Sequence, residues 1–110
     1  MCSKGKPIML LFPVYSLEVF ENFVYFGGGG GNEIKNMIKG YRASWGQTRL
    51  YDSQEVFSES TGEDVCNFMV TAKDGLNLMA MCHGKNIVLV KIDPATGKLI
   101  KLQSWIADFA

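Results

Sequence analysis

Five consecutive glycines at residues 27–31 are the segment of this sequence most suggestive of a chemical site. They follow an apolar stretch, and a strand, a glycine turn and a helix start would together suit a nucleotide phosphate. The dinucleotide-binding pattern would place its third glycine on Asn32, Glu33 or Ile34, and none of these fits. A Walker loop needs Gly-Lys followed by Ser or Thr, and no such sequence follows these glycines. A small nucleotide-binding enzyme would therefore need a degenerate phosphate loop.

The glycine run also allows a role in binding a partner. Glycine loses more conformational entropy on ordering than other residues, so five in a row suit a sharp bend or a cluster of inward carbonyls around an ion or partner. Ile34, Asn36, Met37 and Ile38 follow, and a protruding loop with these side chains could insert into another protein. A flexible surface spacer is the alternative, and the residues alone leave both interpretations open.

The other reactive side chains form no catalytic pattern. His83 is the only histidine and has no nucleophile or carboxylate at a motif spacing. Cys2, Cys66 and Cys82 include no C-x-x-C pair and no spacing that suits zinc. Cys66 and Cys82 lie in apolar runs, where reduced, buried thiols are common. We therefore expect no bond-breaking chemistry from this chain.

Composition limits the classes of partner. The net charge is zero, so the chain has no basic field for a phosphate backbone, and we expect no nucleic-acid binding. An apolar fraction of 47% is ordinary for a globular protein and argues against disorder. No stretch reaches the roughly 18 apolar residues of a membrane helix, so we expect no membrane contact by this segment.

The elements that position the glycine run are short strands. Residues 14–20 and 23–26 are rich in β-branched and aromatic side chains and flank a two-residue turn, which predicts a hairpin. Further strand-like residues occur at 48–51 and 56–57. A polar segment, residues 58–64, then separates the two halves of the sequence.

The second half predicts an antiparallel meander of four strands, at residues 65–71, 76–82, 87–92 and 99–105. The first turn contains Asp74 and Gly75, a pair that tolerates positive φ. The next two turns contain Gly84 and Gly97, respectively. Tight turns between short strands join neighbours in one sheet.

The two halves resemble each other with an offset of 51 residues, since residues 14–19 align with 65–70. Regular strands in a repeat of this size favour a β-propeller over a sandwich. The predicted fold is all-β, with about two four-stranded antiparallel blades of a WD40-type propeller, incomplete in this chain. The predicted parts are a lead-in strand (1–12), a first blade (13–57) with a glycine-rich loop (27–38), a polar connector (58–64), a second blade (65–105) and the truncated start of another (106–110).

Two blades do not close a propeller, because each blade buries its faces against a neighbour on both sides. The prediction therefore implies that remaining blades, absent from this chain, cover the two outer faces. They could belong to a longer form of the protein, to another chain, or to further copies of this one.

A wider resemblance emerges from residues 12–19, the glycine run, and Ile34, Lys35 and Asn36 taken in order. The sequence resembles the prolactin regulatory element-binding protein family, the endoplasmic-reticulum exchange factors for the small GTPase that starts COPII coat assembly. Residues 65–68, the strand pair ending in Gly84, and residues 107–109 are also similar. The resemblance covers nearly the whole chain, and its most specific part is the glycine run followed by Ile-x-Asn.

The resemblance implies a propeller on the cytosolic face of the endoplasmic-reticulum membrane, carried by a carboxy-terminal anchor. It implies that the glycine-rich loop binds the GTPase, is organised around a potassium ion and promotes GDP release. The matching exchange residues are Ile34 and Asn36, with Asn36 also a potassium ligand. The partner-binding residues would be Gly27, Gly28, Gly29, Gly30, Gly31, Asn32, Lys35, Met37 and Ile38.

The sequence departs from this family at the loop. The stretch between the glycines and Ile34 is shorter, and Glu33 stands where glycine is usual. The alternative function is a non-catalytic WD-repeat scaffold in which the glycine loop is only a spacer. Exchange activity distinguishes the two, because a scaffold would not accelerate nucleotide release.

Overall fold

The protein forms eight β-strands in the computed structural model, which describes residues 13–29, 35–44, 49–72 and 75–107. These parts of the chain contain no helix, and so none that could cross a membrane. The strands are β1 (Val14–Phe20), β2 (Phe23–Gly28), β3 (Asn36–Ser44), β4 (Arg49–Gly62), β5 (Cys66–Thr71), β6 (Leu78–His83), β7 (Asn86–Ile92) and β8 (Leu99–Ile106).

The strands form two four-stranded sheets, and every neighbouring pair is antiparallel. The first sheet has the order β1-β2-β3-β4 and the second β5-β6-β7-β8, so each is a simple meander. The all-β prediction is confirmed, as is the division into two four-stranded antiparallel sheets. The arrangement is consistent with two propeller-like blades.

Short turns set the register of the hairpins. Glu21 adopts φ 52° in the two-residue turn between β1 and β2, and Gly84 adopts φ 64° between β6 and β7. Two-residue hairpin turns with positive φ match the right-handed twist of the strands they join. Gly97 takes φ 81° in the turn before β8, where its amide donates to the Asp93 carbonyl at 2.7 Å.

The strands differ from the prediction at several places. No strand was predicted at residues 36–44, where β3 lies between β2 and β4 and forms by pairing with both. Strand β4 continues to Gly62, so most of the predicted polar connector is strand. Ser58 and Ser60 pair with β3, and their side chains are exposed, because an edge strand of an antiparallel sheet can carry polar side chains toward solvent. Strand β6 begins at Leu78 rather than at residue 76, after Asn77 takes φ 57°.

Some predicted features lie outside the described residues. They are the lead-in strand at residues 1–12, Lys73 and Asp74 of the predicted hairpin turn, and residues 108–110.

The core lies between the two sheets. Phe23, Tyr25 and Ile38 from the first sheet meet an apolar layer from the second. That layer consists of Cys66, Met69, Met79, Met81, Val88, Val90 and Ile92. Because alternate residues of a strand point to opposite faces, the sides of the sheets away from this core carry a different set of side chains.

Polar bonds also join the sheets. The Glu18 carboxylate accepts hydrogen bonds from the backbone amide and the hydroxyl of Thr71, at 2.6 and 2.7 Å. The Ser16 hydroxyl donates to the Cys66 carbonyl at 2.9 Å. Hydrogen bonds to a charged group contribute more than neutral ones, so these contacts fix how β1 lies against β5.

Candidate functional site: the base of the glycine-rich loop

The predicted loop is shorter than residues 27–38, because both of its ends belong to strands. Gly27 pairs with Ile38 and Gly28 pairs with Met37 across β2 and β3. Gly30, Gly31, Asn32 and Ile34, all assigned to the site from sequence, lie outside the described residues. The described part of the candidate site is therefore the base of the loop, from Gly27 to Gly29 and from Lys35 to Ile38.

Gly29 is held where β2 ends. Its amide donates a 3.0 Å hydrogen bond to the Pro13 carbonyl, and its φ is 118°. A Cβ atom at this position would overlap the Lys35 carbonyl oxygen and lie 2.6 Å from the Asn36 Cα. The two sides of the loop base thus approach each other so closely that only glycine fits.

Asn36 fastens the other side of the base. Its Nδ2 donates a 3.0 Å hydrogen bond to the Gly62 carbonyl at the end of β4. Gly62 is itself fixed, because its amide donates to the Ser60 hydroxyl at 3.2 Å. The Asn36 amide therefore joins the first residue of β3 to the last residue of β4, so β3 begins and β4 ends side by side next to the loop.

Gly27 connects the loop base to the second sheet. A Cβ atom on Gly27 would lie 2.5 Å from the Ser16 Oγ and 2.7 Å from the Cys66 carbonyl oxygen. Burial raises the pKa of the Cys66 thiol, an effect that the Ser16 hydrogen bond partly offsets. Gly27 is thus needed for close contact between the sheets, a packing role that sequence reasoning did not predict.

The other assigned residues of the base have different surroundings. Lys35 is exposed, and Met37 is half-buried. Ile38 is only 3% exposed and belongs to the core between the sheets. Gly28 and Gly29 are buried as well. In this structure Ile38 and the first three glycines pack within the protein, so the predicted contact with a partner depends on the residues between Gly29 and Met37.

Two basic residues of β3 near the loop base, Lys39 and Arg42, make definite contacts. The Lys39 Nζ lies 2.8 Å from the Glu55 Oε1. The Arg42 guanidinium lies 4.9 Å from the centroid of the Phe23 ring and donates to the Ala95 carbonyl at 3.0 Å. Arg42 thus ties β3 to the turn before β8, so its charge serves the contact between sheets.

A cleft of about 310 Å³ lies between the sheets, at the low end of the volumes that bind small molecules. Ile38, Glu59, Met81, His83 and Lys101 are among the residues that line it. The Nδ1 of His83 is buried and has no hydrogen-bond partner among the described residues. None of the described residues that line this cleft therefore orients the His83 ring through its Nδ1 for acid–base chemistry.

The described residues contain no group of three or more His, Cys, Asp or Glu side chains that could hold a metal ion. A potassium ion would instead use oxygen ligands from amides and carbonyls. The Asn36 side chain carries an amide oxygen, a ligand type of this kind, and its nitrogen donates to the Gly62 carbonyl. Its residue type is therefore compatible with the predicted role, which stays a prediction.

Comparisons with protein-family models, with curated proteins and with solved structures found no match.

Proposed function

We propose that this chain is part of a guanine-nucleotide exchange factor for the COPII-initiating small GTPase, acting on the cytosolic face of the endoplasmic reticulum. The loop between β2 and β3 is its active element. The observation that carries the proposal is the anchoring of that loop at Gly29, bonded to Pro13, and at Asn36, bonded to Gly62. The order of the glycine run and the Ile-x-Asn residues supports it from sequence.

Exchange activity needs binding energy and no covalent step. A protein accelerates GDP release when it binds the nucleotide-free GTPase more tightly than the GDP-bound form. A loop with both ends fixed loses less conformational entropy on binding. A larger part of the free energy of its contacts with the partner therefore remains as binding affinity. The two hydrogen bonds at the base supply this preorganisation.

The loop residues have distinct roles in the proposal. Ile34 provides an apolar side chain that inserts beside the nucleotide-binding region of the GTPase and holds it open. Asn36 fixes the loop through Gly62 and offers its oxygen to potassium. The ion, when bound, would gather backbone carbonyls of the loop around one positive charge.

The membrane anchor, the closed propeller and the endoplasmic-reticulum location belong to the same proposal. They rest on the family resemblance. The two blade-like sheets are compatible with a propeller of this kind.

The deciding experiment measures release of a fluorescent GDP analogue from the COPII GTPase. The chain is supplied alone and fused to further blades that complete a propeller. Acceleration by the fused protein supports the proposal, and acceleration by the chain alone would show that two sheets suffice. A folded fusion that binds the GTPase without accelerating release would favour a WD-repeat scaffold.

A parallel titration of the chain with GDP and GTP tests the remaining alternative. The exchange-factor proposal requires that the chain itself binds neither nucleotide. Saturable binding would instead favour a nucleotide-binding protein with a degenerate phosphate loop.

A further inference from the structure

The cleft between the two sheets lies toward the edge of the molecule that β4 and β8 form. Hydrogen bonds join β1 to β5, which are the first strands of the two sheets. β4 and β8 are the last strands of the same sheets, and both contribute side chains to the cleft. The walls of the cleft are the facing sides of this chain's own sheets, so blades packed on the outer faces would not fill it.

The floor of the cleft is apolar. Four buried residues of the core reach it from both sheets, and two half-buried residues of the outer strands extend it. The buried ones are Ile38, Met81, Val88 and Val90, and the half-buried ones are Phe57 and Leu99. An apolar floor binds a ligand by removing apolar surface from water, and a volume of about 310 Å³ suits a small molecule.

Opposite charges lie on the two walls. Glu59 of β4 pairs with Ile38, and Lys101 of β8 pairs with Val90. Cross-strand partners share a face of the sheet, so both charged residues lie on the inner sides, where Ile38 and Val90 are buried. Both line the cleft and are exposed. Neither forms an ion pair or hydrogen bond with another described residue. The cleft therefore presents an unpaired carboxylate opposite an unpaired ammonium group.

Neutral polar groups of the second sheet complete the lining. Asn86 at the start of β7 and Ser104 near the end of β8 both reach the cleft. Their side chains have no hydrogen-bond partner among the residues that the structure describes. An amide and a hydroxyl can together donate to and accept from a peptide group. A few polar groups that converge on an apolar cleft are typical of a small-molecule site.

We propose that this cleft binds a small zwitterion with an apolar body, of the size and chemistry of an apolar dipeptide. Its ammonium group pairs with Glu59, its carboxylate pairs with Lys101, and its side chains lie on the apolar floor. A single amino acid carries both charges on one carbon, whereas facing sheets are about 10 Å apart. Two extended residues span about 7 Å, and the Glu59 and Lys101 side chains cover the rest. The inference does not depend on the exchange function.

The test is isothermal titration calorimetry of the chain with three forms of one dipeptide. Leucyl-leucine carries both charges, N-acetyl-leucyl-leucine lacks the ammonium group, and leucyl-leucinamide lacks the carboxylate. The protein variants Glu59→Gln and Lys101→Gln remove the matching charge from each wall. Glu63→Gln and Lys98→Gln remove the same charges from exposed positions outside the cleft and serve as controls. Circular dichroism checks the fold of each variant.

Leucyl-leucine should bind the wild type and both controls with a Kd of about 0.1–1 mM, as expected for a ligand of this size. Glu59→Gln and Lys101→Gln should each weaken this binding by about 3–5-fold at low salt, since exposed charge pairs contribute modestly. Glu59→Gln should not weaken binding of the acetylated form, and Lys101→Gln should not weaken binding of the amidated form, because each ligand already lacks the matching charge.

Three results would overturn the proposal. The first is that leucyl-leucine does not saturate the wild type by about 10 mM. The second is that Glu59→Gln and Lys101→Gln bind leucyl-leucine as tightly as their controls do. The third is that each variant weakens all three ligands equally, which would show that the charges on the walls do not contact the ends of the dipeptide.

Discussion

The hydroxyl of Tyr25 donates a 2.6 Å hydrogen bond to the backbone carbonyl of Gly97, across the gap between the two sheets. Tyr25 is completely buried, and its ring lies beside Phe23 in the core. Burial, followed by the negative charge of Asp93, raises the pKa of this phenol far above its ordinary value of 10.0. The bond joins the middle of the first sheet to the last turn of the second, so it reports directly on contact between the sheets.

Tyr25→Phe should lower the free energy of unfolding by about 1–3 kcal/mol, because it leaves the buried Gly97 carbonyl without its partner. The loss should depend on pH. Above pH 10 the unfolded tyrosine ionises while the folded one stays protonated, so the stability that Tyr25 contributes decreases as pH rises. The difference in free energy of unfolding between wild type and variant, measured by urea denaturation, should therefore decrease from neutral to alkaline pH. Tyr15→Phe, at an exposed position of β1, is the matched control and should change little. A Tyr25→Phe protein as stable as wild type at neutral pH would contradict this role of the bond.

Most strands were predictable because their hairpins carry a local signal, but β3 was not, since residues 36–44 lack such a signal and become a strand by pairing with β2 and β4. Alternating apolar residues in β7 and a glycine in the turns around it define that strand without knowledge of the fold. The end of β4 was not predictable in this way. Its residues Ser58 to Gly62 are polar and resemble a loop, and only pairing with β3 makes them a strand.

The sequence indicated which residues belong to the candidate site, but it did not indicate how they are arranged. Sequence pointed to Asn36 as part of the loop, but its bond to Gly62 depends on the end of β4, which sequence placed outside the strand. Gly27 was assigned to a loop because it starts a glycine run. Its true environment beside Ser16 and Cys66 arises from contact between two sheets, and no local pattern encodes that distance.

The Glu18 and Thr71 side chains should be energetically coupled. Hydrogen bonds to an ionised carboxylate contribute about 1.5–3 kcal/mol when one partner is removed. A double-mutant cycle with Glu18→Ala and Thr71→Val should therefore give a coupling energy of about 1 kcal/mol or more in urea denaturation. The control is a second cycle that combines Thr71→Val with Glu63→Ala, which removes an exposed carboxylate from the turn after β4. The losses of stability in this cycle should be additive. Additivity in the Glu18 cycle as well would show that the contact does not stabilise the packing of β1 on β5.

Gly27→Ala should destabilise the protein by about 1–3 kcal/mol through overpacking between the sheets. Two of the atoms that the new methyl group would approach, the carbonyl oxygen and Cβ of Cys66, belong to the other sheet, so relief requires the sheets to separate. Thermal unfolding measures the loss. The Tyr25–Gly97 contact should weaken with it, and Tyr25→Phe should consequently cost less in the Gly27→Ala background. Equal costs in both backgrounds would show that the sheets had not moved apart.

Asn36→Ala should loosen the base of the loop while leaving the fold intact. The substitution removes the bond to the exposed Gly62 carbonyl, which water can replace, so the expected loss of stability is only about 0.5–1.5 kcal/mol. The larger effect should be faster limited proteolysis between Gly29 and Met37. Asn86→Ala, at the start of β7, is the comparison for loss of an asparagine elsewhere in the fold. An unchanged rate of cleavage in the loop would contradict the anchoring role of Asn36.

Ile34→Ala tests the active element of the proposed function. An apolar side chain at the centre of an interface costs about 2 kcal/mol or more when truncated, which corresponds to about 30-fold in binding or rate. Exchange on the COPII GTPase should therefore fall by about that factor in a complete propeller that carries the substitution, while its unfolding temperature stays the same. Leu76→Ala is the matched control: it truncates another branched aliphatic side chain, which is exposed in the second half of the chain, and should leave exchange unchanged. Since only a loop that enters the GTPase makes the two substitutions differ, equal exchange rates in both variants would remove Ile34 from the mechanism.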